Sequence, residues 1–148
     1  MSNPDSEIHD LEKQADGAIE APRTGAGRVI LLVEDDVEMG KFVAFLLQRE
    51  GYEMRLVVDG EQALELMGQP PPDLVILDLM IPFRNGYEVL AEYRKSEPWS
   101  RVPVLMLTGR NREEDVARAL AAGANDYLTK PFRPVELLAR VNRLLRPR

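Results

Sequence analysis

Residues 74–86 read LVILDLMIPFRNG. Four branched apolar residues run into a single carboxylate, Asp78, before a proline and a glycine turn the chain. Burying the apolar run is favourable, but an unpaired charge at its end is costly, so Asp78 needs company. A short apolar run bounded by QPPP on one side and NG on the other reads as a strand covered on both faces.

The same texture recurs outward from this stretch. VILLV (29–33), MRLVV (54–58), VPVLMLT (102–108) and NDYLT (125–129) read as the other strands. Between them apolar residues take helical spacing. Met39, Phe42, Val43, Leu46 and Leu47 lead to the stop at Gly51, and Asp59 is a candidate N-cap for GEQALELM (60–67). Tyr87–Lys95 offers Tyr87, Val89, Leu90 and Tyr93 for packing, and Glu113–Ala122 is closed by Gly123. Pro134 suits the first turn of a last helix holding Val135, Leu138, Val141 and Leu145. This fivefold alternation predicts an α/β fold, a doubly wound five-stranded parallel sheet between two helical layers with right-handed crossovers.

Composition narrows the function. The chain is 45% apolar and 30% charged over 148 residues, enough for one sizeable core. It has no cysteine and one histidine, His9, which excludes disulfides, thiolate chemistry and cysteine or histidine metal clusters. No apolar run reaches the length of a membrane span, and MSNPDSEIHD lacks the pattern of a secretory signal, so a cytoplasmic protein without membrane contact is expected. Residues 1–27 carry six acids against Lys13 and Arg23, and end in APRTGAG. They read as an acidic flexible extension, with Ile8, Leu11, Ala15 and Ile19 as one weak helical face. The remaining −2 of the net −6 gives no dense positive surface for nucleic acid.

Polar groups gather where strands end. Glu34, Asp35 and Asp36 follow the first, Asp78 the third, Thr108 the fourth, and Lys130 the fifth. With strand order 2-1-3-4-5 the first and third strands are neighbours, and ligands bind outside the carboxyl ends at that switch point. Glu34, Asp35 and Asp78 then converge and repel. A hard divalent ion with oxygen ligands, Mg²⁺, would hold them. Asp36 reads instead as the cap of the first helix. Taken singly, Thr108 is a strand-end threonine and Lys130 a solvated lysine. Placed together around Asp78, an ammonium, a hydroxyl and a metal make a phosphoryl-transfer site with Asp78 as nucleophile.

VEDD (33–36), LDLMIP (77–82) with NG (85–86), LTG (107–109) and DYLTKPF (126–132) resemble the receiver domain of two-component response regulators, of the chemotaxis type. The resemblance covers about 28–146 and implies the flavodoxin-like receiver fold. It implies that Asp78 accepts a phosphoryl group from the phosphohistidine of a sensor histidine kinase or phosphotransfer protein. Asp35, Asp78 and the backbone carbonyl of Met80 would ligate Mg²⁺, with Mn²⁺ as a substitute, and Glu34 would act through a bound water. Thr108 and Lys130 would contact phosphoryl oxygens, and a cis bond before Pro131 would orient the lysine. Tyr127 matches an aromatic switch position that moves with Thr108. Met80 and Arg110 match positions that tune attack by water, and their bulk implies slow dephosphorylation.

The implied output is a changed surface of the fourth and fifth helices that controls an effector protein or output domain. The chain would be a self-modifying switch rather than an enzyme. LTG, GANDY and KPF…ELLARV also resemble the winged-helix transcription-factor branch, in which crossed ion pairs join subunits through the fourth helix, fifth strand and fifth helix. Asp126 and Arg140 match that homodimer pattern, while Val116, Ala121 and Asn142 stand where charge is usual. Arg140, Arg143 and Arg146 also read as a solvated helix end. Because the sequence stops at Arg148, no direct nucleic-acid binding by this chain is expected. Two other functions fit the same residues less well: a Mg²⁺-dependent phosphatase with an aspartyl nucleophile, which usually has a second acid where Met80 stands, and a stand-alone adaptor. A flavodoxin-type cofactor binder needs a hydroxyl- and glycine-rich loop where EDDVEMG presents acids.

Overall fold

A computed structural model describes residues 27–146. The extension expected over 1–27 lies outside the described residues, Gly27 excepted. Five strands, β1 (Val29–Val33), β2 (Glu53–Val57), β3 (Leu74–Leu77), β4 (Val104–Thr108) and β5 (Asp126–Thr129), alternate with five helices. These are α1 (Val37–Arg49), α2 (Gly60–Glu65), α3 (Gly86–Lys95), α4 (Glu113–Ala121) and α5 (Pro134–Leu144). The sheet runs β2-β1-β3-β4-β5, every pair parallel, as the alternation of elements requires.

Successive strand residues point to opposite faces, and this sorts the core into two layers. Ile30, Leu32, Leu74, Ile76, Leu105 and Leu107 pack under α1 and α5, against Val43, Leu47, Leu137 and Val141. Leu31, Val33, Val75, Leu77, Val104 and Met106 face the other way, against Val89, Leu90, Tyr93 and Trp99. Each such aliphatic side chain contributes about 1.5–3 kcal/mol on burial. Caps fix where helices begin. Asp36 accepts the Met39 amide at 3.1 Å, Asp59 the Gln62 amide at 2.8 Å, and Asn85 forms a capping box with Glu88.

Several element boundaries differ from the sequence reading. β2 spans 53–57 rather than 54–58, which leaves Val58 exposed in the following loop. β4 starts at Val104, not Val102. Pro103 has no N–H to donate, and the Val104 amide is taken by the Asn125 side chain at 2.8 Å. α2 ends at Glu65 and tightens into one 3₁₀ turn, Leu66–Gly68, before the proline run. β5 and α4 are each one residue shorter than read, and α3 starts one residue earlier, at Gly86. Val135 is 62% exposed, because the buried stripe of α5 is Leu137 and Val141, continued by Leu145 just past its end, one face at i, i+4, i+8. Phe42 is also exposed, its ring 6.2 Å from that of Phe132.

Two close approaches fix the loop after β3. A Cβ on Gly60 would stand 2.0 Å from the Arg84 carbonyl oxygen, and one on Gly86 would stand 2.5 Å from that of Asp78. Both contacts are with backbone, which cannot swing aside. Gly60→Ala should therefore destabilise the fold by about 1–3 kcal/mol, read from the urea midpoint. Gly68, with nothing within 4 Å of its Cβ position, is the control and should shift far less. Equal midpoints for the two alanine variants would contradict this packing.

Candidate functional site

Parallel pairing in register carries the ends of β1 and β3 side by side, with Val33 opposite Leu77. The next residues, Glu34 and Asp78, leave the sheet on the same edge. One carboxylate oxygen from each of Glu34, Asp35 and Asp78 lies within 4.8 Å of the others. Glu34 and Asp78 are only 4% and 6% exposed, whereas Asp35 faces solvent. Lys130, just after β5, reaches across the sheet edge. Its Nζ donates to Asp78 Oδ2 at 2.9 Å and to Glu34 Oε2 at 2.5 Å. The Lys130–Pro131 bond is cis, as the resemblance implies.

The remaining bonds position Asp78. Its Oδ1 accepts the Met80 amide at 3.1 Å, and Glu34 Oε1 accepts the Asp36 amide at 3.1 Å. Burial pushes the Glu34 carboxyl above its ordinary pKa. Repulsion from Asp78 adds to that, and the Lys130 hydrogen bond only partly opposes it. Burial alone would lower the Lys130 ammonium, but its bonds to Glu34 and Asp78 outweigh this and the net shift is upward. Among the described residues one cation, Lys130, thus bonds to two of the three clustered carboxylates. The donor set is all oxygen, crowded and short of positive charge, which suits a hard divalent ion.

Thr108 is fully buried at the end of β4, where its Oγ1 accepts the Arg110 amide at 3.4 Å. Tyr127 is buried too, and its hydroxyl donates to the Arg110 carbonyl at 2.8 Å. Arg110 is therefore held through its N–H by Thr108 and through its C=O by Tyr127. Burial, with the nearby charges of Asp115 and Asp78 adding, pushes the Tyr127 phenol up to about 12, so it remains a donor at neutral pH. The side chains of Arg110 and Met80 meet, Nη2 to Sδ 3.6 Å, and Met80 is 59% exposed. The structure thus brings Glu34, Asp35, Asp78 and Lys130 together, and leaves Thr108 bonded to Arg110 rather than to Asp78.

Three features escaped the sequence reading. Arg94 donates to the carbonyls of Gly123, Ser100 and Val102 and to the Asn125 side chain, tying the end of α3 to the end of α4. Asp126 is taken within its own chain by Arg140 at 3.0 Å and also by Arg143. Phe83 adopts a left-handed conformation, φ 70°, in the loop beside Asp78. The Arg84 amide donates to the Pro82 carbonyl at 2.9 Å, closing a γ-turn of the rare positive-φ hand at a cost of about 1–3 kcal/mol.

The sequence profile described as response regulator receiver domain matches residues 30–142. The chain belongs to this receiver family. This receiver is 39% identical over 119 residues to the phosphate regulon transcriptional regulatory protein PhoB of Escherichia coli, covering 80% of this chain and 52% of the relative. It is 43% identical over 117 residues to the DNA-binding response regulator MtrA of Mycolicibacterium paratuberculosis, covering 79% and 51%. The chain spans about half the length of these curated relatives. A solved receiver domain of a Pseudomonas aeruginosa sensor histidine kinase, with magnesium coordinated in its active-site cleft, superposes with TM-score 0.75 at 37% identity, covering 81% of this receiver and 98% of that chain. The curated likeness is to PhoB- and MtrA-type regulators, which supports the receiver family without the narrower chemotaxis type. The DNA-binding description of MtrA does not fit the expectation of no nucleic-acid contact by this chain.

Proposed function

We propose that this receiver is a phosphorylation-dependent switch whose acceptor is Asp78. The observation that carries the reading is the Lys130 ammonium bridging Asp78 and Glu34, with Asp35 in the same cluster. In the reaction a carboxylate oxygen of Asp78 attacks the phosphorus of a phosphohistidine on a sensor kinase or phosphotransfer protein. An acyl–phosphate bond forms, the N–P bond breaks, and the imidazole nitrogen leaves with the electron pair. Asp35, Asp78 and the Met80 carbonyl are the proposed ligands of Mg²⁺, with Glu34 acting through water and Mn²⁺ as a substitute. When bound, the ion supplies charge neutralisation at the transferring group. Lys130 holds phosphoryl oxygens from the other side.

The new charge and acceptor oxygens at Asp78 then draw the Thr108 hydroxyl, which donates its proton to them. A hydroxyl that moves toward them moves away from the Arg110 amide, which loosens one of the two bonds holding Arg110, and Tyr127 is bonded to the other end of the same residue. The equilibrium of the β4–α4 and β5–α5 surface shifts accordingly, and an effector or output domain reads it. Self-association through α4, β5 and α5 would have to draw Asp126 from its own two arginines. The switch modifies itself and turns over no free substrate. No helix among the described residues is long and apolar enough to cross a membrane, and a cytoplasmic site of action is part of the proposal.

Asp78→Asn tests the acceptor: labelled acetyl phosphate with Mg²⁺ should phosphorylate the wild-type protein and leave the variant unlabelled. Label on the variant would refute the assignment. In the same assay, replacing Met80 and Arg110 with alanine should shorten the lifetime of the wild-type label by opening a path to water. An unchanged lifetime would remove both side chains from that role.

A further inference from the structure

We infer that Phe83 is the apolar anchor by which the phosphoryl-donating protein docks on this receiver. The inference rests on the phosphoacceptor reading of Asp78 and extends it to the partner's surface.

The fold gains nothing from this ring. Phe83 is 75% exposed and belongs to neither core cluster. Its backbone, at φ 70°, is one that glycine adopts freely and a side chain with a Cβ resists. Among the described residues it is the one non-glycine position with positive φ. The loop around it is not loose. The Pro82 carbonyl accepts both the Arg84 amide at 2.9 Å and the Gly60 amide at 3.1 Å. The Gly86 amide donates to the Leu79 carbonyl at 3.0 Å, and the Arg84 side chain to Glu88 at 2.8 Å. A pinned turn thus holds a large apolar side chain out in water, in a conformation that a glycine would fill without strain. Such strain persists where surrounding structure over-determines it, and its use lies outside the isolated fold.

The location names the occupant. Asp78 is the floor of its site and Phe83 stands five residues on, at the rim of the same loop. A protein that brings a phosphohistidine to a carboxylate this buried must lay its surface over the rim. Exposed Met80 belongs to this same loop, and exposed Val58 precedes Gly60, which touches the Arg84 carbonyl. An exposed aromatic ring on the loop that carries the acceptor fits an apolar pocket beside the donor's histidine, and aromatic anchors of this kind carry much of a small interface's affinity. A small phosphodonor needs no such contact.

The test separates the two reactions. The histidine kinases of the source genome are purified, autophosphorylated and presented to the wild-type protein, and the fastest donor becomes the probe. Phe83→Gly should take phosphoryl from that donor with kcat/KM lowered about tenfold, mainly through KM. Phe83→Tyr, which keeps the ring, should stay within about twofold of wild type. Phe83→Gly should react with acetyl phosphate at the wild-type rate and unfold at the same temperature or higher, because strain relief offsets the added freedom of the unfolded chain. Unaltered transfer from the kinase, or equal loss of both reactions, would overturn the inference. So would transfer by none of the kinases while acetyl phosphate still labels Asp78. A wild-type protein that acetyl phosphate does not label would instead defeat the phosphoacceptor reading itself.

Discussion

Mutual repulsion among Glu34, Asp35 and Asp78 is the constraint around which this molecule is built. Two of the three are almost removed from water, where unbalanced charge costs most. A single ammonium, Lys130, bonds to both buried members and holds them at one sheet edge. The distances among the four groups depend on strand order. Glu34 and Lys130 are 96 residues apart, and parallel pairing in the arrangement β2-β1-β3-β4-β5 carries them to the same rim. Stability and the proposed chemistry therefore make opposite demands on the same few residues: a core would do better without them, and the proposed switch depends on them.

The rest of the structure supports that rim. Two apolar layers, sorted by the alternation of each strand, hold the sheet rigid beneath it. Gly60 and Gly86 let the loop after β3 lie against backbone on both sides, which fixes Asp78 from behind. Arg110 links the rim to the surface beyond it, since one residue accepts the Tyr127 hydroxyl and donates to Thr108. α4, the element that follows, has a single buried residue, Ala119, and no side-chain cap at its N-terminus. An element so lightly held suits the proposed shift of equilibrium, while Arg94 ties down its far end.

The strands and the acidic cluster were legible in the sequence because each rests on a local, strong signal. Runs such as VILLV and LVIL have few alternatives once turns bound them, and carboxylates directly after such runs have one edge to occupy. The pairing of Lys130 with Glu34 and Asp78 follows from topology, so it too could be anticipated. What stayed hidden depends on contacts without a sequence signature. Arg94 looks like any basic residue in the last turn of a helix until its carbonyl partners are placed. Phe83 looks like a turn residue until its φ is known. Val135 matched a helical period by count, yet the register of α5 against the sheet turns it outward. The ends of β2, β4 and α2 moved by one or two residues where a proline or a side-chain acceptor, not hydrophobicity, decided the boundary.

The position at which a divalent ion binds is the most direct test of a shared site at Asp35 and Asp78. Mn²⁺, a paramagnetic substitute for Mg²⁺, broadens the NMR amide signals nearest its site when added in substoichiometric amounts. The signals of Asp35, Asp36, Leu79 and Met80 should vanish first, while the Trp99 indole, buried in the layer beneath the sheet, keeps its intensity. Broadening that starts elsewhere, or that spares either Asp35 or Asp78 while affecting the other, would mean that these carboxylates do not share one ion.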